Sequence, residues 1–173
     1  EVLGRWLADG AGHGPLSRDE RWEVLVRLSE LGASTEDLVA AERERDPSEA
    51  GRLAALSCAA ARPDGGAKDR ALTTMAAEGT SNREITALAR GLWSAEQREL
   101  VDPLVVRYLE ELVPTARRGQ GLGLVVGRAA PGFRWSPEQL EALGSAVSGD
   151  GTDLPPVLAR TWADVLHDQR LLG

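Results

Sequence analysis

Apolar residues recur along this chain at three- and four-residue spacing, and many of the runs open on Ser or Asp with Glu or Gln three places later. Val101, Leu104, Val105, Tyr108, Leu109 and Leu112 form one stripe, with Arg107, Glu110 and Glu111 off it. That spacing places the apolar side chains on one helix face. Leu158, Trp162, Val165 and Leu166 form another such stripe. The opening pairs are Ser17/Glu20, Asp46/Glu49, Ser81/Glu84, Ser94/Gln97 and Ser136/Gln139. Each can close a reciprocal capping box at a helix N-terminus. Pro47 and Pro137 follow two of them, at the first helical position, where proline's missing N–H costs nothing.

The stops agree with the starts. Gly32, Gly79 and Gly149 suit helix C-termini, and the clusters Pro63-Asp-Gly-Gly66 and Pro131-Gly132 mark connections. The pattern predicts helices near 2–8, 18–31, 35–45, 47–61, 67–78, 82–92, 95–113, 137–147 and 155–170. Asp102-Pro103 is expected to restart or kink the long one. The Gly119-Gln-Gly121-Leu-Gly123-Leu-Val-Val-Gly127 run predicts a weak or broken helix near 116–130, since each interior Gly costs roughly 1 kcal/mol relative to Ala.

No segment alternates apolar and polar residues strictly enough for a strand. The expected fold class is therefore all-α, with about nine to ten helices stacked as antiparallel pairs in an α-solenoid, a HEAT/armadillo-like superhelix. The pairs would be 18–31 with 35–45, 47–61 with 67–78, and 82–92 with 95–113. Their pitch is about 30 to 40 residues, near the lower end for HEAT-like repeats. The chain is expected to be one helical domain, 1–173.

Composition strengthens the helical reading: 42% of residues are hydrophobic, yet only 4% are Phe, Trp or Tyr. The apolar content is thus mainly Ala, Leu and Val, of which Ala and Leu are strong helix formers. A formal net charge of −7 argues against nucleic acid and anionic membranes as partners. No stretch reaches the roughly 20 apolar residues of a membrane span. The start lacks a signal-peptide pattern, so a cytoplasmic location is expected. Cys58 is the only cysteine and sits among alanines, the setting of a small buried thiol rather than a reactive one.

Candidate chemistry is sparse. The two histidines, His13 and His167, lie at opposite ends and cannot suggest a shared metal site. The glycine run has the wrong spacing for a dinucleotide loop, and no strand precedes it. The carboxylates at Glu42, Glu44, Asp46, Glu110 and Glu111 read as solvated helix faces. So do Arg43, Arg45, Arg52, Arg117 and Arg118, although any of these arginines could hold a peptide carboxylate in bidentate fashion. Trp6, Trp22, Trp93, Trp135 and Trp162 read as helix-packing anchors.

With the helices placed, Arg21-Trp22-Glu23-Val24-Leu25-Val26-Arg27-Leu28, then Leu38-Val39-Ala40-Ala41-Glu42 and Arg45-Asp46-Pro47, resemble a known pattern. So do Ala60-Ala61-Arg62-Pro63, Ala67-Lys68, Ser81-Asn82, Gln97 through Leu100, Arg107-Tyr108 and Leu154-Pro155-Pro156. In this order they resemble the C-terminal helical domain of the aminopeptidase N family of zinc metallopeptidases, of the actinobacterial type. The use of Arg in place of Lys, with Lys68 the one exception, fits a GC-rich genome of that kind.

The resemblance implies a non-catalytic domain that covers the active site of a zinc aminopeptidase, forms part of its peptide chamber and limits access. Zinc would belong to the catalytic domain of the same polypeptide, and the parent would remove N-terminal residues from peptides. No catalytic, cofactor-binding or metal residue carries over, because the His-Glu-x-x-His motif does not occur in this chain. The alternative reading is a free-standing helical-repeat scaffold that binds a protein partner.

Overall fold

A computed structural model of the chain describes residues 15–34, 36–148, 160, 162–165 and 167. Among these residues every regular element is helical. They are α1 (Arg18–Glu30), α2 (Glu36–Arg45), α3 (Glu49–Ala61), α4 (Gly65–Ala76) and α5 (Asn82–Leu92). After a 3-10 turn at Ala95–Gln97 come α6 (Arg98–Arg107), a π turn at Tyr108–Leu112, a 3-10 stretch at Val113–Arg118, α7 (Gln120–Arg128) and α8 (Pro137–Ser148). Residues 160, 162–165 and 167 are helical within the segment expected at 155–170. The expected helix at 2–8, Trp6, His13, the stop at Gly149, the Leu154-Pro155-Pro156 stretch, Leu158 and Leu166 lie outside the described residues.

Three of the five expected capping boxes close. Ser17 with Glu20, Ser81 with Glu84, and Ser136 with Gln139 each exchange both hydrogen bonds. In the second, the Ser81 backbone N–H and hydroxyl, together with Arg52, hold the Glu84 carboxyl down at about 2. The other two pairs do not close, because one partner of each is drawn into a contact between helices. Ser48, not Asp46, caps α3, which leaves Pro47 before the cap instead of inside the helix. The Asp46 carboxylate instead accepts the Trp22 indole N–H of α1 at 2.9 Å. Ser94 caps only the 3-10 turn, and the Gln97 amide reaches the ends of α1 and α3.

Gly32 does end α1, in the left-handed region at φ 68° that favours glycine. The Pro63–Gly66 cluster is shorter as a connection than expected: Asp64 accepts the Gly66 N–H, and α4 already starts at Gly65. The helical backbone runs through Pro103, and the regular ladder changes only at Tyr108, where the π turn begins. The break expected near 116–130 falls at Gly119, where the backbone is extended between the 3-10 stretch and α7, and beyond it the glycine run is helical. Its end is tied down by Tyr108 Oη, which donates to Val126 O at 2.5 Å, and by Trp93 Nε1, which donates to Ala129 O at 2.7 Å.

The six-residue stripe from Val101 to Leu112 is buried throughout, in a core that also takes Leu72, Met75, Ile85, Leu88, Leu92, Leu143 and Trp162. Trp93 meets Tyr108 and Phe133 edge-on, with ring centroids 5.9 and 6.1 Å away, a geometry that aromatic quadrupoles favour. A smaller cluster of Trp22, Leu25 and Cys58 joins α1 to α3. By contrast, α2 fully buries only Glu42, whose two carboxylate oxygens share the Arg21 Nε–H, each at 2.9 Å, while Oε2 also accepts from Nη2 at 2.5 Å. This peripheral helix is held largely by charge.

The broadest contacts between α-helices join α3 to α5 and to α1; α5 meets α4 more broadly than it meets α7, and α4 and α2 also rest on α3. Of the pairs expected from sequence, 18–31 with 35–45 and 47–61 with 67–78 are in contact, though α1 and α5 each meet α3 more broadly, whereas 82–92 meets 95–113 only narrowly.

The α3/α5 crossing is close because Gly91 sits on the α3 backbone. A Cβ there would lie 2.1 Å from Ser57 O and 3.0 Å from Ala60 Cβ. The Ser57 hydroxyl donates across the crossing to Ala87 O at 2.7 Å.

The same helices end together. Lys68, 0% exposed in the first turns of α4, donates from Nζ to Ala60 O at 2.8 Å and Gly91 O at 3.1 Å. Gln97 Nε2 donates to Ala61 O at 3.0 Å and Glu30 O at 2.7 Å. Carbonyls in the last turn of a helix lack partners within it, and four of them from α1, α3 and α5 are met by these two side chains. Burial pushes the ammonium down to about 8, partly opposed by the nearby Glu30 carboxylate.

Two outcomes follow. Gly91→Ala forces a backbone clash and is expected to lower unfolding free energy by about 1–3 kcal/mol, whereas Gly65→Ala, with nothing within 4 Å of its Cβ, should leave it unchanged or raise it by up to about 1 kcal/mol. Urea unfolding of both variants checks this. For Lys68, the unfolded chain keeps its proton to about 10.5 and the folded chain releases it at about 8. Between these values the unfolded state binds more protons, so this group's contribution to stability rises with pH. Lys68→Met, which orphans two buried carbonyls, should therefore cost about 1–3 kcal/mol at pH 10.5 and less at pH 7. A constant difference across that window would contradict the burial of the charged amine.

Candidate functional site

The row of alternate helices carries a groove of about 470 Å³ between α3 and α5, closed at one side by Val125 of α7. Its floor is made of small side chains, Ala54 and Ser57 from α3 and Ala87 from α5, with Leu53 beside them and Ala50 exposed at the edge. This follows from the Gly91 crossing: helices that approach so closely can carry only small residues near the contact. Its rim is polar and cationic. Asn82, Arg83, Thr86 and Arg90 occur at helical spacing on α5 and turn one face of that helix toward the groove, while Ile85, Leu88, Ala89 and Leu92 are buried on the other.

Charge on this rim is only partly neutralised. Arg90 pairs with Glu23 of α1, and both side chains are exposed. Arg83 has no ion-pair partner among the described residues and acts on Glu49 only through its field. Among the described residues no carboxylate lines the groove, although Glu23 pairs with Arg90 and Glu49 lies in the field of Arg83. Neither arginine was singled out by the sequence reading. The signal that could have found them is their seven-residue separation, two helical turns, on the polar face of the sharply amphipathic segment 82–92.

Of the five arginines that sequence singled out, three are occupied in holding helices. Arg43 donates to Asp46 O and to Ser48 O, Arg45 lies 3.7 Å from Glu42, and Arg52 joins Glu49 to Glu84 at 2.8 and 2.9 Å. Arg118 is exposed, and Arg117 borders a second groove of about 460 Å³ between the π turn and α8, with Leu109, Val113 and Ala142. Glu110 lies on its edge, so that groove carries both signs of charge. Glu42 and Asp46 are buried and paired, contrary to their reading as solvated carboxylates, because α2 is attached through them.

Trp22, Trp135 and Trp162 are buried, as anchors should be. The indoles of Trp22, Trp93 and Trp135 each donate a hydrogen bond. The Cys58 thiol is buried beside a recess of about 230 Å³, and desolvation pushes it up to about 11, so it is neutral at pH 7. His167 is exposed. Among the described residues no three His, Cys, Asp or Glu side chains converge as metal ligands do. The described part of the chain therefore offers no fit for the zinc that the resemblance implies, and no catalytic step is assigned to its residues. Among the described residues no helix is long and apolar enough to cross a membrane.

Comparison with known proteins supports the coarser part of the resemblance, to the C-terminal domain of an aminopeptidase. The chain is 34% identical over 93 residues to an aminopeptidase N of Streptomyces lividans, a stretch that covers 53% of this chain and 11% of that protein. The present sequence thus corresponds to a small part of that relative's length. The family described as the ERAP1-like C-terminal domain matches residues 1–171. With nearly the whole chain matched and an all-helical arrangement among its described residues, this protein belongs to the ERAP1-like C-terminal domain family.

Proposed function

We propose that this chain is the non-catalytic C-terminal domain of an aminopeptidase N-type zinc peptidase of actinobacterial type, and that it covers the active site and limits which peptides enter. The family match over residues 1–171 carries this reading. The row α1, α3, α5 and α7 supports it, with the helices stacked as an α-solenoid whose grooved face lines part of the peptide chamber. Zinc belongs to a catalytic domain of the same polypeptide, which removes N-terminal residues from peptides in the cytoplasm. What this chain contributes is surface: a small-residue floor along which a peptide backbone can approach, and a cationic rim.

A binding face of this kind acts on selectivity rather than on the bond-breaking step. Uniform contacts with a long substrate change which peptides are held without touching the reacting atoms. A short aminoacyl substrate, which cannot reach the groove, should be indifferent to it.

The test compares hydrolysis of a chromogenic aminoacyl substrate and of a longer peptide by this chain, by the catalytic segment of its parent, and by both together with zinc. The chain alone should be silent. Together, the ratio of rates for the long and short substrates should change by about tenfold, the effect of about 1.4 kcal/mol of differential binding. An unchanged ratio would favour a free-standing helical-repeat scaffold, and zinc-dependent turnover by the chain alone would overturn the reading.

A further inference from the structure

The groove between α3 and α5 has a charge of its own that a merely permissive chamber wall does not need. The chain carries a formal net charge of −7, so a randomly chosen strip of its surface should be acidic. Here, among the described residues, the lining has two arginines and an asparagine and no carboxylate. On α3, which forms the groove's other wall, the one arginine is engaged, Arg52 bridging Glu49 and Glu84. Arg83 is exposed with no ion-pair partner among the described residues, and the only one Arg90 has is Glu23, 64% exposed, a contact that water screens.

We propose that this groove binds an extended acidic peptide segment, with one carboxylate side chain on Arg83 and a second, three residues along, on Arg90. The inference deepens the proposed function and rests on its premise that the occupant is a peptide. Seven residues of helix separate the two arginines by about 10 Å along the α5 axis and by about 20° around it. An extended peptide of polyproline II geometry rises about 9 Å in three residues and returns its side chains to the same side. Glu-x-x-Glu therefore matches the rim in both spacing and direction. The small floor of Ala54, Ser57 and Ala87 leaves room for the intervening backbone. The guanidinium fork can take each carboxylate through two parallel hydrogen bonds. Polyphosphates, which share the sign of charge, are repelled by the net charge of the rest of the surface.

The test is binding, not peptidase activity, so its failure is separable from failure of the chamber reading. A fluorescent eight-residue peptide with a central Glu-Ala-Ala-Glu and an amidated C-terminus is titrated with the 173-residue chain at low salt, beside the same peptide carrying Gln at both positions. The Glu peptide should bind about fivefold more tightly, as two exposed ion pairs supply, and the preference should vanish in the double variant Arg83→Ala/Arg90→Ala and shrink at higher ionic strength. In a second variant, Arg83→Glu/Arg90→Glu, the preference should invert toward a Lys-Ala-Ala-Lys peptide. Equal affinity for the Glu and Gln peptides, a preference that survives both double variants, or binding that requires a free C-terminal carboxylate would each overturn the proposal.

Discussion

The ends of three helices meet at one buried ammonium and one buried amide. An α-helix presents its last carbonyls, and the negative end of its dipole, to whatever lies beyond it. Here α1, α3 and α5 turn those ends toward the first turns of α4 and the 3-10 turn before α6. Lys68 satisfies Ala60 O and Gly91 O, and Gln97 satisfies Ala61 O and Glu30 O. A buried cation at such a point offsets part of its desolvation through the dipoles of two helices and the nearby Glu30 carboxylate. This arrangement fixes which helix ends coincide, and hence why contact runs between alternate helices rather than only between neighbours in sequence.

From that junction the rest of the face follows. With α3 and α5 ending together, their crossing is set by Gly91 on Ser57 O and by the hydrogen bond from Ser57 to Ala87 O. Close crossing demands small residues, and small residues leave a groove where larger ones would have filled it. The polar face of α5 then becomes a rim because its apolar face is committed to the core. The groove is thus a by-product of how the helices are stapled, while the arginines on its rim are not, since packing has no use for Arg83 in its position.

Much of the fold was legible because it is local. Periodic apolar stripes and the Ser–Glu and Ser–Gln boxes depend on residues three and four apart, and they located α1, α5 and α8 to within a residue or so. The Asp46/Glu49 and Ser94/Gln97 pairs misled for a common reason: each contains a residue whose best partner belongs to another helix, Trp22 for Asp46 and the ends of α1 and α3 for Gln97. Local pattern cannot reveal such a competition. The same limit hid Lys68, whose single occurrence in the sequence gave no sign of burial, and Arg83, whose significance lies in its place beside Arg90 on the rim of a groove between helices. The helical glycine run was unreadable because propensity argues against it, and it is fixed by Tyr108 and Trp93 from outside.

The claim that the fold turns on a buried lysine can be measured without ambiguity, because Lys68 is the chain's only lysine. Its side-chain amine can be followed through a pH titration by nuclear magnetic resonance in the folded protein, with no assignment problem. The account predicts a midpoint near 8, depressed by burial at the helix ends, and ammonium protons that exchange slowly with water. A midpoint at the ordinary value of about 10.5, with fast exchange, would mean that the amine lies in solvent and that the three helices are held together by something else.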